Sequence, residues 1–289
     1  MTDRTDDIQP QARTARVDAM DLQYLYYPGD GPAVLLLHAT GFNPWLWHPI
    51  SRELMTSGFR VYAPYFCDHR PSDPHQGGLS WAVLAADLAG FCGALGLQRP
   101  FMAGHSMGGA VIALANAEHP GLAAGLVLIE PIFLPEYVYG AVRKVGDHPL
   151  ARKSIKRRNH WQDRAEAEQY LLSRDMFKRW NREVLELYLS HGMKEKEGGG
   201  LTLTCSPERE ASQFMGSNHR NPWPLLQRVS DPVLILEGEE SENHAFIDLK
   251  KAVGLFPRGR YLQVEGAGHL VPQEKPAETA RILRRFFSA

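Results

Sequence analysis

Short, apolar, β-rich runs alternate with longer helix-like segments from residue 15 to the end of the chain. This alternation is typical of a mostly parallel sheet covered by helices on both faces. Several runs are continuous stretches of Val, Leu and Ile, which favours strands that are buried on both sides. The pattern predicts an α/β fold with a doubly wound, mostly parallel sheet. The strand candidates are 22–27, 33–38, 59–63, 100–104, 125–130, 232–237 and 260–264, and the helix candidates are 45–57, 79–95, 107–118, 244–255 and 276–287.

Residues 132–220 interrupt the alternation, because the strand candidates on either side of them are much further apart than any other neighbouring pair. Within this stretch, Asp163 and Glu166 have the spacing of a helix capping box. A second helix is expected between Asn181 and Gly192. The sequence therefore predicts a core of residues 1–131 and 221–289, with a helical cap inserted at 132–220.

The charge balance argues against nucleic acid or an anionic membrane as a partner, since 32 Lys and Arg face 33 Asp and Glu. No apolar run approaches the ~20 residues that span a bilayer, and residues 1–17 lack the apolar stretch of a signal peptide. The three cysteines, Cys67, Cys92 and Cys205, are too few and too scattered to predict a disulfide framework. We therefore expect a cytoplasmic protein with neither nucleic acid nor a membrane as its partner; the sequence leaves its oligomeric state open.

The strongest chemical signal is the segment Gly104-His-Ser-Met-Gly-Gly109, which stands where a strand candidate leads into a helix candidate. It fits G-x-S-x-G, the nucleophile elbow, in which a sharp turn projects a serine hydroxyl from the edge of the sheet. The glycines allow strand and helix to approach closely. Ser106 would also lie at a helix N-terminus, where free N–H groups favour developing negative charge. The motif predicts that Ser106 is a nucleophile.

Two further segments fit this interpretation. The loop after the strand candidate 33–38 contains Thr40, whose N–H could join that of Met107 in an oxyanion hole. The segment Gly266-Ala-Gly-His269 follows the last strand candidate, and its glycines allow a loop that carries the imidazole back towards Ser106. His269 is therefore the candidate general base.

The chain resembles the α/β-hydrolase superfamily, over residues 15–131 and 225–289. The resemblance is carried by His38 to Phe42, Gly104 to Gly109 and Gly266 to His269, in the chain order serine, acid, histidine. The segments His38-Ala-Thr-Gly-Phe42 and Leu128-Ile-Glu-Pro-Ile132 are also similar to hydrolases akin to those of fungal toxin biosynthesis. The resemblance implies a capped serine hydrolase.

The acid of the triad has more than one candidate. The usual superfamily position, after the strand before the last, contains Glu240 and Glu242 here, and no aspartate. The resemblance to dehalogenases and zearalenone-type lactone hydrolases implies a glutamate at the end of the strand that follows the nucleophile, which is Glu130. We favour Glu130, because a buried strand-end carboxylate needs a partner, whereas the cluster of residues 239–242 is typical of a solvated loop.

The sequence thus predicts a cofactor-independent serine hydrolase that cleaves an ester, lactone or related acyl bond of an apolar small molecule. One alternative is a carbon–carbon bond hydrolase acting on a diketone-like substrate with the same residues. Another is a ligand receptor that keeps the fold but turns over slowly or not at all. The residues Asp68, His69, Asp73 and His75 are interpreted as a polar loop, and no metal site is predicted. Aromatic side chains of the cap and its border are candidate pocket walls: Trp161, Phe177, Trp180, Tyr188 and Trp223.

Overall fold

The computed structural model describes residues 8–67, 69–141 and 144–289. Within these residues, ten strands form a large central sheet and a small second one. They are β1 (Gln11–Val17), β2 (Met20–Tyr27), β3 (Ala33–Leu37), β4 (Arg60–Pro64), β5 (Phe101–His105), β6 (Gly125–Ile129), β7 (Met193–Glu195), β8 (Leu201–Leu203), β9 (Val233–Gly238) and β10 (Gly259–Val264). The central sheet has eight strands in the order β1-β2-β4-β3-β5-β6-β9-β10. The pairs from β4 to β10 are parallel, while β2 pairs antiparallel with both β1 and β4.

Helices cover both faces of this sheet, and others lie in the segment between β6 and β9. They are α1 (His48–Thr56), α2 (Trp81–Ala94), α3 (Met107–Glu118), α4 (Pro149–Ile155), α5 (Arg164–Leu172), α6 (Asp175–Lys178), α7 (Arg182–His191), α8 (Pro207–Met215), α9 (Leu249–Val253), α10 (Val271–Glu274) and α11 (Pro276–Phe287). Neighbouring residues of β3 point to opposite faces: Leu35 belongs to the core that includes α2 and α3, and Leu36 to the core that includes α1 and α11. Burial on both faces explains the continuous apolar runs in the sequence. The predicted fold class is confirmed.

The segment between β6 and β9 is mostly helical. Asp163 caps α5 by accepting a hydrogen bond from the Glu166 N–H at 2.9 Å. Helix α7 begins after Asn181 and is followed by Gly192, and its buried residues lie on one face. Strands β7 and β8 pair with each other and add nothing to the central sheet. Helix α8, at the end of this segment, packs against α4.

Strand β1 and helix α9 differ from the sequence prediction in ways that have a clear cause. Strand β1 forms a hairpin edge with β2 and was not predicted, because its residues are mostly exposed and lack an apolar run. The helix expected over 244–255 is α9, only five residues long, and a separate 3-10 turn covers Glu242–Ala245. Within the described residues, no helix is both long and apolar enough to cross a membrane.

The expectation that the cysteines form no disulfide is wrong for one pair. Cys67 and Cys205 are bonded, with their Cα atoms 6.2 Å apart. Cys67 lies in the loop after β4, and Cys205 lies directly before Ser206, which caps α8. The fold brings together residues that are far apart in the chain, which their spacing in the sequence does not reveal. The pairing also removes the cysteine argument for a reducing compartment.

Candidate active site

The candidate site lies at the carboxyl edge of the sheet, where parallel strands of an α/β fold place their functional loops. Ser106 follows β5 directly, and Glu130 follows β6 directly. The loop 239–243 follows β9, and the loop carrying His269 follows β10. Strands β5, β6, β9 and β10 are neighbours in the sheet, so these four loops share one region.

Ser106 occupies a sharp turn with φ 55° and ψ −114°. Its N–H donates to the carbonyl of Ile129 at 2.9 Å, which fixes the turn against β6. The glycines of the motif are required by close approaches: a Cβ on Gly104 would lie 2.4 Å from the backbone of Gly108, and one on Gly108 would lie 2.4 Å from the Leu37 carbonyl oxygen. The sequence thus dictates the geometry expected of a nucleophile elbow.

The His269 ring lies between a hydroxyl and a carboxylate. Its Nε2 is 3.2 Å from the Ser106 Oγ, and its Nδ1 is 3.0 Å from the Glu130 Oε2. The neighbouring His105 supports the loop from below, because its Nε2 donates to the His269 carbonyl at 2.9 Å. Burial holds the pKa of His105 well below its usual value, so this supporting ring is neutral.

Glu130 has a fully buried carboxylate and a left-handed backbone, with φ 49°. Its Oε1 accepts a hydrogen bond from the Gly238 N–H at 2.7 Å. Its Oε2 accepts one from the Ser241 hydroxyl at 2.8 Å, in addition to facing His269. These donors compensate the loss of water around the buried charge.

The other two acid candidates lie elsewhere. Glu240 pairs with Arg179 at 2.7 Å and is largely exposed. Glu242 is exposed in the first turn of the 3-10 segment. The structure therefore brings Ser106, His269 and Glu130 together and leaves Glu240 and Glu242 at the surface.

Met107 lies just after β5 and Thr40 lies in the loop after β3, and these two strands are paired neighbours in the sheet. Met107 is the first residue of α3, so its N–H has no acceptor within the helix. Thr40 lies in a tight turn closed by the Phe42 N–H and the Ala39 carbonyl at 3.2 Å. The next N–H along the chain, that of Gly41, donates to the Gln213 Oε1 at 3.1 Å.

Gln213, on α8, was not predicted from the sequence. Besides accepting from Gly41, its Nε2 donates to the Phe66 carbonyl at 2.5 Å. The Phe66 N–H in turn donates to the His38 Nε2 at 3.0 Å, and burial lowers the pKa of His38 to about 4. These contacts hold the loop His38–Phe42, which we call the oxyanion loop after the role that the sequence predicts for Thr40. No local sequence signal marks Gln213, because the contact joins residues 172 positions apart.

An aromatic cluster packs on the oxyanion loop. Phe42 meets Trp180 and Tyr188 edge to face, with ring centroids 5.4 and 6.1 Å apart. Phe177 and Trp161 belong to the same buried cluster. Trp223 does not, because it packs with Phe133 on the α3 side of the sheet.

The polar loop after β4 has its own internal partners. His69 lies 2.9 Å from Asp87, and Arg70 binds the same carboxylate through two nitrogens. Asp73 caps a 3-10 turn through the His75 N–H, whereas Asp68 lies outside the described residues. Among residues 8–67, 69–141 and 144–289, no group of three or more His, Cys, Asp and Glu is arranged to hold a metal ion. A depression of about 630 Å³ near Gly31, Gly58 and Phe287 lies at the other end of β3, away from Ser106.

Comparison with known proteins agrees with this architecture. The chain is 25% identical over 261 residues to a 2-(acetamidomethylene)succinate hydrolase of Mesorhizobium japonicum, covering 90% of both chains. It is 24% identical over 223 residues to an abhydrolase domain-containing protein of Alternaria alternata, covering 65% of this chain and 82% of that one. The crystal structure of E-2-(acetamidomethylene)succinate hydrolase superposes with a TM-score of 0.81 at 23% identity, covering 97% of this chain and 100% of the other. Residues 34–282 match the model of the alpha/beta hydrolase family. The chain therefore belongs to the alpha/beta hydrolase family.

Proposed function

We propose that this hydrolase cleaves an ester, lactone or related acyl bond by a serine mechanism, with Ser106 as nucleophile, His269 as general base and Glu130 as the acid. The observation that carries the proposal is the continuous line of contacts, 3.2 Å from Ser106 to His269 and 3.0 Å from His269 to Glu130. This is the arrangement in which a neutral imidazole can accept a hydroxyl proton while a carboxylate stabilises the resulting imidazolium.

In the first step the Ser106 Oγ attacks the acyl carbon, and its proton passes to the His269 Nε2. The tetrahedral intermediate then expels the leaving group, which takes the proton from Nε2, and an acyl-enzyme remains. In the second half a water molecule gives its proton to Nε2 and attacks the acyl carbon. The acid product departs, and the proton returns to Ser106. Every step uses groups of the chain and water, so the mechanism needs no cofactor.

The negative oxygen of each tetrahedral intermediate would be bound by two backbone N–H groups, those of Met107 and Thr40. Met107 supplies the N-terminal N–H of α3, where the helix dipole also favours negative charge. The Gly41 N–H is already bonded to Gln213. Thr40 is therefore the donor that we assign on the oxyanion loop.

We further propose that residues 132–220 act as a cap over this site and that the substrate is a small, largely apolar molecule. The aromatic cluster of Phe42, Trp180 and Tyr188 supports this, since it joins the oxyanion loop to helix α7 of the inserted segment. The near-neutral net charge of −1 supports the absence of nucleic-acid and membrane partners.

The resemblance to the 2-(acetamidomethylene)succinate hydrolase suggests a second type of bond to test as substrate, an acyl–nitrogen bond. That relative is named for a substrate with an acetamido group, which makes an acyl–nitrogen bond one of the related acyl bonds to test. Carbon–carbon cleavage of a diketone-like substrate would use the same three residues.

The proposal is tested by labelling the protein with a fluorophosphonate probe and by assaying a panel of chromogenic esters, lactones, enamides and diketones. We expect rapid labelling of the wild type, none of Ser106→Ala, and turnover of at least one ester or lactone. Turnover of the diketones alone would replace the proposed reaction by carbon–carbon hydrolysis. A wild type that neither labels nor turns over would identify a binding protein on the hydrolase fold.

A further inference from the structure

A second polar side chain reaches the nitrogen of His269 that faces Glu130. The Asn243 amide nitrogen lies 2.8 Å from the His269 Nδ1 and 3.4 Å from the Glu130 Oε2. Asn243 belongs to the loop after β9, which is held by the Ser241 hydroxyl: that hydroxyl donates to Glu130 and accepts from the Asn243 N–H at 3.3 Å. The carboxamide is thus fixed beside both members of the His269–Glu130 pair.

The position of the proton on the imidazole decides whether Asn243 donates a hydrogen bond to Nδ1 or accepts one from it. A neutral ring carries one proton. For Nε2 to accept the Ser106 proton, that single proton must lie on Nδ1. An amide N–H directed at a protonated Nδ1 would place two hydrogen-bond donors face to face, and no hydrogen bond could form between them. With the carboxamide turned by 180°, Oδ1 lies at this place and accepts from Nδ1–H.

We infer that Asn243 is a positioning residue that shares the Nδ1–H of His269 with Glu130, and that position 243 is a second place from which an acid can serve this imidazole. The inference rests on the proposed serine mechanism. It follows from the geometry that the two acid positions converge on one nitrogen: Glu130 reaches it from the end of β6, and residue 243 reaches it from the loop after β9. A carboxylate at residue 243 would therefore restore what the Glu130 carboxylate provides.

The decisive test is rescue. Glu130→Gln should slow fluorophosphonate labelling and ester turnover by roughly 10³–10⁴-fold. Adding Asn243→Asp to this variant should recover at least about 100-fold, because the new carboxylate again selects the Nδ1–H tautomer and stabilises the imidazolium. The matched control is Glu130→Gln with Ala245→Asp, which adds a carboxylate to an exposed position of the same 3-10 turn. It should recover nothing.

A single substitution provides an independent measurement that does not depend on the double variant folding. Asn243→Ala should lower kcat about tenfold with KM little changed, the effect of losing one hydrogen bond that is needed in the transition state. A purely structural Asn243 would instead lower Tm and leave kcat near that of the wild type.

The outcomes separate the two proposals. If Glu130→Gln is inactive and Asn243→Asp fails to improve it beyond threefold while the control variant is equally folded, the inference about position 243 is overturned and the serine mechanism stands. If Ser106→Ala retains wild-type turnover, the serine mechanism fails and the inference fails with it.

Discussion

The two sides of the candidate site are held in different ways. On one side, Ser106 and Glu130 each stand one residue beyond a strand, and β5 and β6 are paired neighbours. On the other side, the oxyanion loop depends on Gln213, which comes from α8 in the inserted segment. Strand pairing fixes the positions of Ser106 and Glu130. The oxyanion loop is instead fixed by the side chain of Gln213, a residue distant from it in the sequence.

This difference separates two kinds of effect that a substitution can have. In the proposed mechanism, changes on the sheet side remove a reacting group or its acid and leave the scaffold intact. Changes on the α8 side leave these groups in place but release the loop to which we assign an oxyanion-binding N–H. The following predictions use this contrast, beginning with the largest effect.

Removing a reacting group should be the most damaging change. Ser106→Ala and His269→Ala should each lower kcat/KM by roughly 10⁴-fold or more, because nucleophile and base act as a unit. Circular dichroism and Tm should remain near those of the wild type. A Ser106→Ala enzyme with more than a tenth of the wild-type rate would contradict the role of this side of the site.

Substitution of the two acid candidates, Glu130 and Glu242, should have very different effects on kcat. Glu130→Gln keeps the shape of the side chain but removes the charge beside His269, so kcat should fall by up to ~10⁴-fold with KM little changed. Glu242→Gln should leave steady-state kinetics unchanged, since this side chain is exposed. The reverse ranking would move the acid to the loop after β9.

On the α8 side, Gln213→Leu should lower kcat by roughly 10–100-fold with a smaller change in KM. The substitution removes the acceptor of the Gly41 N–H and the donor to the Phe66 carbonyl, so the oxyanion loop loses its support. Ser212→Ala is the matched control, because the Ser212 hydroxyl is buried with no partner among the described residues. Equal kinetics for the two variants would show that Gln213 does not orient the loop.

The smallest effect on rate should come from the disulfide between Cys67 and Cys205. It closes a loop with a sequence separation of 138, which in the chain-entropy account stabilises the fold by up to about 5 kcal/mol. Reduction should therefore lower Tm and reduce kcat only several-fold, through loosening of the α8 N-terminus. Cys92→Ala should respond to reductant as the wild type does, since burial raises the pKa of the Cys92 thiol to about 12 and keeps it unreactive. An unchanged Tm on reduction would show that the disulfide does not secure α8.

The sequence predicts the strands of the sheet side well, because their signals are local. The apolar runs gave the buried strands, and the glycines around Ser106 are explained by the contacts of Gly104 and Gly108. The sequence could not indicate Asn243 or Gln213. A lone amide residue carries no motif, and both act through contacts that exist only after the chain has folded. The same reason explains why the Cys67–Cys205 pairing was missed, whereas β1 was missed because an exposed edge strand lacks an apolar signal.

Ser106 and Glu130 both have positive φ angles, 55° and 49°. This backbone conformation lowers the stability of the fold at the two positions that we propose take part in the reaction. A residue other than glycine held in such a conformation costs of the order of 1–3 kcal/mol. Glycine at position 106 would remove that cost together with the proposed nucleophile, whereas glycine at position 130 would also leave the Gly238 N–H and the Ser241 hydroxyl without their acceptor. Selection for heat resistance alone would therefore favour glycine at position 106, and the proposed mechanism predicts that the resulting protein is more stable but inactive. A search for thermostable variants of this enzyme has to screen for turnover as well as for Tm.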